Sequence, residues 1–119
     1  MARAKAGFEM VRGIGRGLPG VQESTCYGQP ALKTGGKMFT CVPSHRSAEA
    51  GSLAVVVDLG RREELLAEAP ETYYVTEHYA GHPIVLVRLN RIGADALRGL
   101  LVGAMEFVRR TGRKGERRR

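Results

Sequence analysis

The chain has 119 residues, 43% of them hydrophobic, which is enough for one domain around one core and too little for a second. No apolar run approaches the roughly 18 residues of a membrane span, and the N-terminal MARAKAGFEM lacks the apolar stretch of a secretory signal, so the expected compartment is the cytoplasm with no membrane partner. The net charge of +7 is unevenly spread: residues 109–119, RRTGRKGERRR, hold seven of the nineteen Lys and Arg against Glu116 alone, while residues 1–108 carry twelve cations against eleven anions.

Phe8, Val11, Ile14 and Leu18 recur every three or four residues and predict an amphipathic first helix, which Gly13, Gly15 and Gly17 weaken and Pro19-Gly20 ends. From Val21 to Pro43, β-favouring stretches alternate with turn signals, and Gly35-Gly36 between two of them is a two-residue hairpin signal. Cys26 and Cys41 fall within these strands and are read as small buried residues. Residues 44–52, polar and without period, are a loop. Leu53 to Leu59 is almost continuously apolar, as in a central, buried strand.

Arg61 to Ala69 reads as a short helix with Leu65 and Leu66 inward, started by Asp58 or Gly60 and stopped by Pro70. Tyr73 to Val75 and Ile84 to Leu89 are strands of a hairpin-like pair, broken by Gly81 and Pro83. Leu97, Leu100, Leu101, Ala104, Met105 and Val108 share one face of a last helix that should cover the sheet. The order predicts an α+β domain over residues 1–108, two layers deep, with helices on one face of a largely antiparallel sheet. Residues 109–119 form a basic tail with Gly112, Gly115 and no apolar side chain, and its distal part is expected to be disordered.

Signals of chemistry are weak. Gly15, Gly17 and Gly20 fit G-x-G-x-x-G, but a dinucleotide site needs a strand before the motif and a helix after it, whereas this one ends a helix and runs into Pro19. Gly35-Gly36-Lys37 lacks the first glycine and the final Ser or Thr of a phosphate loop. His78 and His82 are four apart, yet neither is read as helical, because Gly81 and Pro83 interrupt any helix there, and His45 lies in the irregular loop, so no metal is expected. His78 and Tyr79 are read as hydrogen-bonding a turn, either a structural corner or the edge of a pocket. No nucleophile has an activating partner in sequence, so neither catalysis nor a cofactor is expected.

Residues 72–101, TYYVTEHYAGHPIVLVRLNRIGADALRGLL, read with GLPGVQESTCYGQPALKTGGKMF upstream, resemble the MmcQ/YjbR family over roughly residues 7 to 108. These are small bacterial proteins commonly labelled as DNA-binding, and the resemblance implies a two-layer fold similar to secretion chaperones. Two features depart from the family's pattern: Ile84 stands where many members have Trp, and Leu32 where an aromatic residue is usual.

The charge distribution and the resemblance together lead to DNA, or RNA, as the expected partner. Lys33 and Lys37, flanking the Gly35-Gly36 turn, and Arg88 and Arg91, closing the second hairpin, are the body's candidates for phosphate contact; Arg109, Arg110, Arg113, Lys114, Arg117, Arg118 and Arg119 are those of the tail. With no helix-turn-helix pattern, binding would be mainly electrostatic. Two other readings stand beside it: a protein- or peptide-binding adapter or homodimer using a sheet edge or the groove beside the last helix, and a small-molecule cleft near His78, Tyr79 and Arg88.

Overall fold

The computed structural model describes the backbone of residues 2–117 and the side chains of residues 7–111. Six strands form one sheet: β1 (Val21–Cys26), β2 (Gln29–Thr34), β3 (Lys37–Cys41), β4 (Ser52–Val56), β5 (Tyr73–Tyr74) and β6 (Ile84–Arg88). Their order is β1-β2-β3-β4-β6-β5, and every neighbouring pair is antiparallel. The helices are α1 (Ala2–Arg16), α2 (Leu59–Glu68), the single turn α3 (Glu77–Ala80) and α4 (Ala94–Arg117), with a 3₁₀ turn at Leu89–Arg91. None is long and apolar enough to cross a membrane among the described residues.

The apolar run that suggested a central strand is β4, flanked by β3 and β6, with Leu53 and Val55 fully buried. The run ends earlier than expected. Asp58 turns the chain into α2, its carboxylate accepting from the backbone N–H groups of Gly60 and Arg61 at 3.1 and 3.3 Å, so Leu59 starts a helix instead of ending a strand. Gly35 and Gly36 both have positive φ, 58° and 81°, as a tight two-residue hairpin turn requires.

One core fills the face under α1, α2 and α4, joining Val11, Leu32, Phe39, Val87, Leu97 and Leu101. Each of these leucines, fully buried, contributes roughly 1.5–3 kcal/mol. Gly15 lets α1 lie close against the sheet, since a Cβ there would lie 2.8 Å from Leu32 Cδ1. That accounts for one glycine of the G-x-G-x-x-G spacing by packing, without a nucleotide. A bulge sharpens the same core: β2 and β3 pair Leu32 with Thr40 and Lys33 with Met38, leaving Phe39 as an extra residue that turns inward beside Thr40. Thr40 is buried but satisfied, its hydroxyl donating to the Ala54 carbonyl at 2.8 Å.

The second face carries a smaller cluster, Ala31, Cys41, Ala54 and Leu86, covered by Tyr79 of α3. The expected hairpin over residues 72–89 is therefore not closed by a simple turn. β5 and β6 do pair, but a one-turn helix joins them on the opposite side of the sheet from α1 and α4. The basic segment also begins inside α4, whose helix runs on past Val108 to Arg117. The expectation of a disordered distal tail falls on residues 112–119, whose side chains lie outside the described residues.

Candidate functional site

The sheet register sorts the cationic candidates. Lys37 pairs with Thr34, whereas Lys33 pairs with Met38, so the two lysines lie on opposite faces of the sheet. Arg109 is part of the folded body: its Nε donates to Thr34 Oγ1 at 2.9 Å and its Nη2 to the Pro19 carbonyl at 2.6 Å. Thr34 thus links Lys37 to the root of the basic segment. Arg110 follows on the surface, its guanidinium 6.0 Å from the centre of the Phe107 ring. The side chains of Arg113, Lys114, Arg117, Arg118 and Arg119 lie outside the described residues.

Arg88 and Arg91 stand elsewhere. Arg88 pairs with Ser52, at the end of β4 away from Lys37, a separation of about 20 Å along the strands. Its Nε and Nη2 grip the two carboxylate oxygens of Glu49 at 2.9 and 2.7 Å, its Nη1 donates to the Pro70 and Glu71 carbonyls at 3.3 and 3.2 Å, and its plane lies 4.3 Å from the centre of the Tyr74 ring. The hydrogen bond from Arg88 is the main reason the Glu49 carboxyl titrates below its ordinary range. This guanidinium is occupied by a loop. Arg91 is exposed on the 3₁₀ turn, with its carbonyl accepting from Thr72 Oγ1 at 3.0 Å.

His78 is carried on α3 and is therefore helical, contrary to the sequence reading, while His82 lies beyond the helix end. The partner of His78 is His45, from the loop between β3 and β4, with ring centroids 3.6 Å apart and planes 8° from parallel. In such a stack the nitrogen lone pairs lie in parallel planes and do not converge on one ion. No group of three or more metal-ligating side chains occurs among the described residues. Tyr79 is buried beneath the pair, and its hydroxyl accepts from the His45 backbone N–H at 3.3 Å.

Ser47 Oγ connects His45 Nδ1 to Thr76 Oγ1, both at 2.8 Å, and Tyr74 Oη accepts from the Glu49 N–H at 2.8 Å. The geometry is that of a corner that pins the 42–51 loop to α3. Arg62 of α2, buried, adds to it from the far side by donating to the carbonyls of Ala80, His82 and Ile84 at 3.2, 2.9 and 3.1 Å.

A cavity of about 600 Å³ lies away from this corner, between α2 and α4 on the main-core side. Val57 and Tyr73 belong to its floor, Leu65 and Leu100 to its walls, and Arg61, Glu68 and Arg110 to its rim. Gly99 and Gly103 hold the α4 side open, with nothing within 4 Å of where either Cβ would be. The sequence signal was present but unread: glycines four apart sit beside the apolar stripe of α4.

The antiparallel six-stranded sheet, with α1, α2 and α4 on one face and, contrary to the expectation of helices on one face only, the single turn α3 on the other, defines an α+β protein. A crystal structure of Deinococcus radiodurans protein DR2400, a DUF419 domain, has the same fold with a TM-score of 0.72 and 23% sequence identity, over 88% of this chain and 80% of that one. The YjbR family profile matches residues 16–104, and the chain belongs to that family. No protein with a curated description matches it.

Proposed function

We propose that the protein is a non-enzymatic nucleic-acid-binding module that holds the phosphate backbone of DNA or RNA at one end of its sheet, through Lys37, Arg110 and the basic residues that follow. The observation that supports this reading is the tie from Arg109 to Thr34, the partner of Lys37, which fixes the start of the basic segment beside the β2–β3 hairpin tip. A near-neutral body with a cationic end would bind through counterion release and with little sequence preference. Leu32, where relatives carry an aromatic residue, is fully buried, so its lack of an aromatic ring removes nothing from the surface. Tyr27, 89% exposed at the β1–β2 turn, offers a face for base stacking.

The test is fluorescence anisotropy with a short duplex and an RNA strand over a salt series, using full-length protein so that Arg109 stays in place. If Lys37 and the six cations of residues 110–119 contact phosphate, the log–log salt slope should be about −6 on DNA, and Lys37→Glu should weaken binding and make that slope shallower by about 1. Absence of binding at low salt, or binding indifferent to neutralising residues 113–119, would sink the reading.

A second reading, a protein-binding adapter or homodimer, is favoured by the free edge of β1, where Gln22, Glu23 and Thr25 are exposed. A concentration-dependent dimer in sedimentation that Thr25→Pro abolishes would support it, because proline removes an edge N–H.

A further inference from the structure

Residues 24–48 contain Lys33, Lys37 and Arg46 and not one Asp or Glu, although the chain has twelve acids. The stretch folds into the end of β1, all of β2 and β3 and the start of the loop that follows. On the face opposite α1, α2 and α4, the register sets Gln22 beside Lys33 and Ser24 beside Ala31, with Gln29 further along β2. Gln22 is exposed there, and Ser24, Gln29 and Lys33 are half-buried. Glu23 is turned to the other face, where Arg12 and Arg16 hold its carboxylate at 3.1 and 3.4 Å. The outer face of β1 and β2 is therefore a strip of amides, a hydroxyl and a lysine, without a carboxylate to repel an anion.

Tyr27 stands at one end of this strip. It is 89% exposed, so its ring has almost no packing within the chain, and its backbone sits at φ 52°, a conformation that costs a side chain energy and suits glycine or asparagine better. Gly28 and Gln29 beside it supply no apolar surround of the kind that shields an aromatic anchor in a protein interface. The other end, roughly 20 Å away along the six residues of β2, is the Gly35-Gly36 turn. That tip is bare, with nothing within 4 Å of where either Cβ would stand, and Lys33 and Lys37 flank it from opposite faces. A sugar–phosphate chain can cross it from one lysine to the other.

A stacking ring needs the open face of a base. A duplex closes those faces within its own stack, whereas a single strand presents them. We infer that the protein binds single-stranded nucleic acid, with one base stacked on Tyr27, the strand lying against Ser24, Gln29 and Lys33, and its backbone crossing the Gly35-Gly36 tip to Lys37. The inference rests on the nucleic-acid reading above and selects the single strand within it.

The test is an anisotropy titration of the full chain, at one low salt concentration, with a short labelled DNA strand, an RNA strand of the same sequence and the DNA strand annealed to its complement. A single strand should bind more tightly than the duplex. Tyr27→Asn should weaken single-strand binding by roughly tenfold, the worth of one stacked base, and leave duplex binding unchanged. Asparagine suits the turn, so the hairpin is preserved in this variant, and circular dichroism checks that. Tyr27→Phe should bind like the native protein, because the ring alone is used. Over a salt series, Lys33→Gln should make the single-strand slope shallower by about 0.7.

A duplex bound as tightly as the single strand, or single-strand affinity unchanged in Tyr27→Asn, would overturn the inference and leave phosphate binding at Lys37 and Arg110 standing. A dimer lost in that variant while strand binding persists would assign the ring to a protein partner. Binding of neither strand nor duplex would remove the nucleic-acid reading itself, and this inference with it.

Discussion

His45 and His78 lie face to face at 3.6 Å, two residues from different elements stacked as flat, weakly polar plates over Tyr79. Such a stack tolerates neutral imidazoles and disfavours two charged ones. The His45 pKa is lowered, chiefly by loss of hydration and then by repulsion from His78 and Arg46. The Ser47 backbone N–H also points at His45 Nδ1 at 3.1 Å, which calls for an unprotonated nitrogen there.

A folded pKa below the unfolded value of about 6.5 means that the unfolded chain binds more protons just below that pH. Stability should hold above pH 6.5 and fall as the solution is acidified towards the folded-state pKa. NMR titration of the imidazole C–H signals should place His45 below the ordinary histidine range, and His78→Gln should raise it by removing one repulsion. A His45 that titrates at or above 6.5 would show that the stack does not form.

Arg88→Lys should destabilise the protein nearly as much as Arg88→Ala, by roughly 1–2 kcal/mol after allowing for solvent at Glu49. A lysine ammonium cannot reproduce the two-point grip on Glu49 together with the bonds to the Pro70 and Glu71 carbonyls and the contact with Tyr74. Chemical denaturation of both variants decides it, and full rescue by lysine would show that only the charge matters. Because this arginine is engaged within the fold, neither change should alter nucleic-acid affinity by more than its effect on folding.

What was legible in the sequence was local. The apolar run of β4, the Asp58 cap, the Gly35-Gly36 turn and the Leu97-to-Val108 stripe each announce themselves within a few residues, by period or turn chemistry. The helix α3 was not legible, because Glu77–Ala80 is shorter than the window over which a helical period shows. Arg88 read as a surface cation because its partner Glu49 lies 39 residues away. The groove escaped for a related reason: Gly99 and Gly103 mark small positions, but only the separation of α2 from α4 turns them into a cavity.

The two thiols should react very differently. Burial pushes the Cys41 pKa up to about 12, and the neighbouring Cys26 thiol adds to the shift, so at pH 8 only about one molecule in ten thousand carries the Cys41 thiolate. Iodoacetamide at pH 8 should modify half-buried Cys26 and spare Cys41 until the protein is unfolded. Because the folded pKa is the higher one, stability should decline as pH rises from about 9 towards 12, and Cys41→Ala should flatten that decline. Peptide mapping by mass spectrometry and melting temperature against pH check the two halves, and equal labelling of both cysteines in the native protein would refute the first.

Two glycine-to-alanine changes should have opposite signs. At Gly103 the new methyl meets open space on an exposed helix face, so Gly103→Ala should stabilise by about 0.5–1 kcal/mol through helix propensity. At Gly15 the methyl would lie 2.8 Å from Leu32 Cδ1, and Leu32 is fully buried, so it would have to shift within the core. Overpacking of that kind costs roughly 1–3 kcal/mol, which outweighs the propensity gain, so Gly15→Ala should destabilise and loosen α1 from β2. Urea denaturation midpoints give both signs in one experiment. A Gly15→Ala protein as stable as the native one would mean that the glycine is there for some reason other than the closeness of α1 to the sheet.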